Sequence, residues 1–189
     1  EVLSAVDEVS AYRPDFILYV GGTLVSKRLK AFLRRVADTE TWAVSEDGDI
    51  HDTFCSQTVV IEGRAADVLA PLAAMLEKSE CSEFKFLWQS ALDHAAVRAA
   101  DFTPRYSQMM VVKMFESMIE EADYDYDVHY ANSSAVRLGC MFSGHYIYVN
   151  RGVNGIEGSL SAAAGFSAAG DSITFCVIGD LSFFYDNNA

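Results

Sequence analysis

Two glycine-bearing stretches near the carboxyl end carry the residue types that hold phosphate groups and a divalent cation. The first is Asn150-Arg151-Gly152-Val153-Asn154-Gly155-Ile156-Glu157-Gly158, and the second is Val177-Ile178-Gly179-Asp180-Leu181-Ser182. Glycine lets the backbone approach a ligand closely. An aspartate at the carboxyl end of a strand is well placed to hold a metal ion beside a phosphate. In the upstream stretch, glycines surround the bulky Ile156 and lead into the small-residue helix Ser159 to Ala169, whose amino end can receive an anion. A lone Gly-Asp is usually a turn. Both motifs together, separated by that helix, are far more specific.

These residues need a strand and a helix behind each of them, and the pattern supplies both. Phe16-Ile17-Leu18-Tyr19-Val20, bounded by Arg13-Pro14-Asp15 and Gly21-Gly22, reads as a buried strand. Ser26 to Val36 follows as a helix with Leu29, Phe32, Leu33 and Val36 on one face. Thr41 to Val44 is the next strand, Glu46-Asp47-Gly48-Asp49 its turn, Ser56 to Glu62 another strand and Arg64 to Lys78 a helix. Phe84 to Ala100 reads as a helix broken by Phe102-Thr103-Pro104, and Ser107 to Glu121 as a second amphipathic helix. Strand Tyr126 to Ala131, helix Ser134 to Met141, strand Tyr146 to Asn150, helix Gly158 to Ala169 and strand Ile173 to Ile178 complete the series. Strands alternating with helices predict an α/β fold with parallel sheets flanked by helices, in two Rossmann-like lobes. The junction is expected near Pro104, dividing the chain into 1–104 and 105–189.

Composition excludes several classes. Half of the 189 residues are apolar and 12% aromatic, which argues for a packed core. A net charge of -13 argues against nucleic acid and anionic membrane surfaces as partners. No apolar run reaches the roughly 20 residues of a membrane span. The start, Glu1-Val2-Leu3-Ser4, lacks the regions of a signal peptide, so a cytoplasmic location is expected. Cys55, Cys81, Cys140 and Cys176 show no zinc or CxxC spacing and read as reduced structural thiols. His51, His94, His129 and His145 read as structural.

The two motifs, with Gly21-Gly22-Thr23-Leu24-Val25-Ser26-Lys27-Arg28-Leu29 and Asn132-Ser133-Ser134-Ala135-Val136-Arg137, resemble thiamine-diphosphate enzymes. The branch they resemble most is the 2-succinyl-5-enolpyruvyl-6-hydroxy-3-cyclohexene-1-carboxylate synthases of menaquinone biosynthesis. The resemblance runs through nearly the whole chain, most clearly after Tyr126. It implies the back half of a central domain in 1–104, the front half of the diphosphate-binding domain in 105–189, and an internal fragment of a longer homo-oligomeric enzyme, a dimer or tetramer. It also implies thiamine diphosphate with magnesium or manganese as cofactors, and 2-oxoglutarate and isochorismate as substrates.

Carried over residue by residue, the resemblance makes Asp180 a metal ligand. Ser133, Asn154, Ile156, Gly179, Leu181 and Ser182 become cofactor contacts, with Ile156 as the wedge that bends the cofactor and the Asn154 carbonyl as an acceptor. Lys27, Arg28, Arg137 and Arg151 face substrate carboxylates, which favour arginine forks. No catalytic residue is expected in this chain, because the family's glutamate belongs to a domain that nothing here matches. Glu157 and Ser161-Ala162-Ala163 depart from the family's usual aspartate and Ser-Thr-Ala. The plainer alternatives are a helix cap for Asp180 or Ser133, core packing for Ile156 and surface charge for Lys27-Arg28. At the level of function they are another decarboxylase or carboligase of the acetolactate-synthase type, or a noncatalytic nucleotide-binding module.

Overall fold

The computed structural model of the chain describes residues 9–36, 39–76, 82–152, 155–187 and 189. The chain forms two compact units, Glu1–Arg98 and Ala99–Ala189, each containing a parallel three-stranded sheet. The α/β class expected from the alternation is therefore what the chain adopts. The units divide inside a long helix, shortly before Pro104.

In the first unit the order is β1-β2-β3, formed by Phe16–Val20, Glu40–Ser45 and Gln57–Glu62. Helix α1 (Lys27–Leu33) links β1 to β2, and the Ser26 hydroxyl caps it by accepting from the Leu29 amide at 3.1 Å. Its apolar side buries Leu33, with Val36 just beyond. Between β2 and β3 the sequence reads a turn and no helix, and the structure agrees: the strands are parallel, and residues 46–56 joining them contain no helix. Phe54 is the buried residue of this connection. Only 3% exposed, it meets the Tyr19 ring edge-on at 5.2 Å, and Arg34 Nε pins the same loop by donating to the Thr53 carbonyl at 2.8 Å. Helices α2 (Ala65–Met75) and α3 (Glu83–Asp101) follow. Phe84, Phe86, Leu92 and Val97 of α3 are exposed.

The second unit has the order β5-β4-β6, formed by Ile147–Tyr148, Tyr126–Tyr130 and Ile173–Val177. Strand β5 is shorter than the expected Tyr146 to Asn150, because only Ile147 and Tyr148 pair with Val128 and His129 before the chain leaves the edge. Helices α4 (Gln108–Glu120), α5 (Ser134–Phe142), α6 (Ser159–Ala169) and α7 (Asp180–Tyr185) flank the sheet.

Side chains of β4 alternate between the two faces. Val128 and Tyr130 point towards α4 and α5. Phe175, paired with Val128, meets Phe115 of α4 at 5.6 Å. On the other face, His129 stacks on Tyr148 at 4.9 Å and meets Phe166 of α6 at 4.7 Å, and burial holds this imidazole's pKa below its ordinary value.

A buried polar cluster ties α4 to β4. Glu116 is 2% exposed and accepts a short hydrogen bond from the Tyr130 hydroxyl. Its other oxygen meets His145 Nε2 at 2.9 Å, while His145 Nδ1 lies 3.0 Å from the Tyr146 carbonyl. Burial, with Glu116 alongside, raises the Tyr130 pKa well above the ordinary phenol value. Gly139 of α5 lies flat against that ring: a Cβ there would sit 2.9 Å from Tyr130 Cε2 and 3.0 Å from Cδ2.

Two outcomes are expected in chemical denaturation. Tyr130→Phe leaves Glu116 short of a donor and costs about 1–3 kcal/mol. Gly139→Ala gains about 1 kcal/mol of helix propensity. It nevertheless destabilises on balance, because overpacking against a ring held at both ends costs about 1–3 kcal/mol.

Candidate functional site

The carboxyl ends of β4 and β6 lie side by side, and the chain leaves them in opposite directions. After β4 it enters α5, on the α4 face; after β6 it enters α7, which packs against α6 on the other face. Such divergence marks the switch point of a parallel sheet, where ligands of open α/β folds bind. Ser133 opens the first exit and Gly179-Asp180 the second.

Ser133 has φ 77° and ψ -125°. That left-handed conformation is costly for a residue with a Cβ, on the order of 1–3 kcal/mol, and such strain clusters where backbone is held for function. Its side chain does not cap α5. At the second exit Asp180 is exposed, with no hydrogen-bond or ion-pair partner among the described residues. The first intrahelical bond of α7 runs from the Phe183 amide to the Gly179 carbonyl at 2.9 Å. The amides of Asp180, Leu181 and Ser182 thus precede the helical ladder, as the first turn of any helix requires. Ser182 is 4% exposed and its hydroxyl donates a short hydrogen bond to the Ile156 carbonyl. What Ser182 offers a ligand is its backbone.

That bond joins the two glycine motifs, and a second one joins the upstream motif to β4. Asn132 Nδ2 donates to the Gly155 carbonyl at 2.8 Å, while its Oδ1 accepts from Arg151 Nη1 at 3.3 Å. The loop before α6 is shaped by Glu157, whose carboxylate accepts from the Ile156 amide at 3.0 Å. A Cβ on Gly155 would sit 2.7 Å from that carboxylate, so a side chain at Gly155 would displace Glu157. Gly158 takes the left-handed conformation (φ 77°) that starts α6, and the buried Ser159 hydroxyl beside it has no hydrogen-bond partner among the described residues.

The structure thus gathers Ser133, Ile156, Gly179, Asp180, Leu181, Ser182 and Arg151 into one unit, around the ends of two adjacent strands. Arg137 stands exposed on α5. Lys27 and Arg28 are exposed at the start of α1, in the other unit. Asn154 lies outside the described residues.

Two residues that sequence reading left without a role organise the site. One is Asn132, whose signal was a short polar side chain directly after an apolar strand. The other is Asp186, which accepts from the Ser161 amide at 2.7 Å and from the Ser161 hydroxyl at 2.5 Å, clasping α7 to α6. Asp47, Asp49 and His51 bring possible ligand atoms within 4.8 Å of one another. The Asp47 carboxylate is already used by the Ser45 hydroxyl and the Asp49 amide, as in a tight turn.

No family model matches the chain. Curated relatives do. A 2-succinyl-5-enolpyruvyl-6-hydroxy-3-cyclohexene-1-carboxylate synthase of Bacteroides thetaiotaomicron is 37% identical over 179 residues, covering 93% of the chain and 31% of the relative. The synthase of that name from Phocaeicola vulgatus is 38% identical over 180 residues, with the same coverages. One from Porphyromonas gingivalis is 34% identical over 199 aligned positions, covering the whole chain and 34% of the relative. The chain is homologous to one segment of this synthase family. It spans about a third of the length of the relatives it matches. The alignment with the Porphyromonas gingivalis relative spans the whole chain, the strand-end motifs and the Lys27-Arg28 region included. Among the described residues no helix is long and apolar enough to cross a membrane.

The Asp186 clasp predicts an acid limb in the stability of the second unit. Hydrogen bonds from Ser161 hold its carboxyl pKa below the ordinary aspartate value. The folded state then releases this proton more readily than the unfolded chain does. The stabilisation is complete above the unfolded aspartate value, about 3.9, and is lost as pH falls through the lower folded value. Asp186→Asn should lower the thermal midpoint at pH 7 and flatten its dependence below about pH 4, read by circular dichroism.

Proposed function

We propose that this chain is the part of a thiamine-diphosphate-dependent synthase that holds the cofactor's diphosphate and its magnesium or manganese ion. The whole enzyme would decarboxylate 2-oxoglutarate and add the succinyl unit to isochorismate in menaquinone biosynthesis, as a cytoplasmic homo-oligomer. On this reading 1–104 is the back half of the central domain, and 105–189 the front half of the diphosphate-binding domain. The single observation that supports it most is the meeting of both glycine motifs at the switch point of one parallel sheet. The chain's homology to these synthases adds to it.

The residues fit the group. Asp180 supplies an exposed carboxylate with no competing partner among the described residues, as a hard cation's ligand requires. The first-turn amides of α7 and the strained Ser133 backbone lie at the carboxyl ends of the adjacent strands β6 and β4, and the Ser159 hydroxyl, without a hydrogen-bond partner among the described residues, lies at the start of α6. Bound there, thiamine diphosphate would supply the electron sink for loss of carbon dioxide from a 2-oxo acid. The chain's own work is binding and orientation. Ile156, fixed through its carbonyl by Ser182 and through its amide by Glu157, would be the apolar residue that packs against the bound cofactor, and the Asn154 carbonyl would accept from it. Arg151, steadied by Asn132, and Arg137, with Lys27 and Arg28 of the other unit, are assigned to substrate carboxylates. No residue of this chain is assigned to proton transfer.

In the enzyme expressed from the full open reading frame, Asp180→Asn is expected to raise the thiamine diphosphate and metal concentrations needed for half-maximal rate. Arg137→Ala and Arg151→Ala should instead act on the 2-oxoglutarate and isochorismate dependences. Each should cost about 1.5–3 kcal/mol, or roughly tenfold to over a hundredfold, for a lost charge-assisted bond. Steady-state kinetics titrating each component separately distinguishes the two. If both arginine variants leave both substrate dependences untouched, the substrate assignment is wrong. Residues 1–189 alone should show no synthase or decarboxylase activity. Calorimetry should find weak thiamine diphosphate binding or none; micromolar, magnesium-dependent binding would contradict this.

A further inference from the structure

In a chain whose 27 acidic residues outnumber its 14 Lys and Arg, five of those cations fall between Lys27 and Arg35. No acidic residue occurs between Asp15 and Asp38. Lys27, Lys30, Arg34 and Arg35 line an open groove of about 450 Å³ whose remaining lining residue is Ala31. Their spacing from Lys27 (three, seven and eight residues on) places them along one face of α1 and its last turn. The opposite side buries Leu33 and Val36.

This arrangement is unfavourable without a counter-charge. Lys27 with Lys30, and Lys30 with Arg34, are like charges at helical neighbour spacing, which destabilise a helix. Over its seven residues α1 is roughly 10 Å long, close to the screening length of about 8 Å in physiological salt. The four potentials therefore add rather than being screened apart. None of the four has an ion-pair partner among the described residues. Arg34 is also held in place: Nε donates to the Thr53 carbonyl at 2.8 Å, so its guanidinium is already oriented. Ala31, exposed at the floor, leaves the space that a larger side chain would fill.

We propose that this groove is a binding site for a small, multiply charged anion, carrying either phosphoryl groups or several carboxylates. Lys30 and Arg35 contact it, and Ala31 provides its floor. The site stands on the first unit alone. It includes Lys27, to which the functional reading gives a substrate carboxylate, but it does not need thiamine diphosphate or any activity of a longer enzyme. The shared chemistry is two or more negative charges within a span the four cations can reach, for which a monoanion is a poor substitute.

The test is calorimetric titration of the 189-residue chain at constant ionic strength, with inorganic pyrophosphate, citrate and acetate as separate probes and no thiamine compound present. Saturable binding of pyrophosphate or citrate is expected, with a dissociation constant of about 1 mM or tighter, and none of acetate. The tighter of the two probes identifies the ligand as phosphoryl or carboxylate in kind. Lys30→Ala and Arg35→Ala should each weaken that binding roughly tenfold, the loss of one charge-assisted contact. Ala31→Phe, on an exposed position and with no change of charge, should abolish it while leaving the circular dichroism spectrum unchanged. Absence of saturable binding overturns the proposal. So does binding that persists in Ala31→Phe, which would place the anion elsewhere, the strand ends of the second unit included. Failure of the groove leaves the kinetic tests of Asp180, Arg137 and Arg151 untouched, and their failure leaves the groove untouched.

Discussion

A buried carboxylate governs the second unit. Glu116 lies in the core of a small domain, where an ionisable group survives only with partners. The Tyr130 hydroxyl and His145 supply them, from a strand and from the loop before the edge strand. Those contacts fix α4 against β4 and place the Tyr130 ring so that only glycine fits at position 139 of α5. Helix α5 then starts where Ser133 must take a left-handed backbone conformation. The strained backbone at the strand end and the polar cluster in the core lie along one path, running from α4 through β4 to the first residue of the candidate site.

On the other face the same strand works by different means. His129, its pKa lowered by burial, lies among Tyr148 and Phe166. The α6 and α7 side is held by short polar links rather than by apolar bulk. Asn132 reaches the Gly155 carbonyl, Ser182 reaches the Ile156 carbonyl, and Asp186 clasps Ser161. A helix as poor in large side chains as Ser159–Ala169 buries little apolar surface of its own. Hydrogen bonds at its amino end therefore set where it begins. This leaves the glycine-bearing backbone at the sheet's carboxyl edge and Asp180 exposed beside it.

The first unit shows the same economy with a different outcome. A loop carrying one buried aromatic, Phe54, joins the parallel pair β2 and β3. Arg34 secures that loop through a carbonyl rather than a carboxylate. Among the described residues its charge, with those of Lys27, Lys30 and Arg35, has no ion-pair partner within a strongly acidic chain. Fold stability and surface chemistry meet at that one side chain.

Much of this was legible in the residues. All six strands were marked in the residues, five of them with at most small errors at the ends, because burial demands apolar side chains and turns demand special backbone. Ser26 and Ser107 opened two of the helices read from the pattern, and in the structure both cap them, a local interaction that needs no tertiary context. The glycine motifs pointed to the strand ends for a similarly local reason: tight backbone approach restricts residue type. The tertiary structure alone decided what depends on residues far apart in sequence. It shortened β5 to the two residues that find partners, and it buried Phe54 in the connection between β2 and β3. It gave Asn132 and Asp186 their roles across separations of 23 and 25 residues, and it made Glu116 a core residue although glutamate on an amphipathic helix reads as surface. Local propensity encodes the elements. The pairing of distant polar groups is settled only when packing removes water from between them.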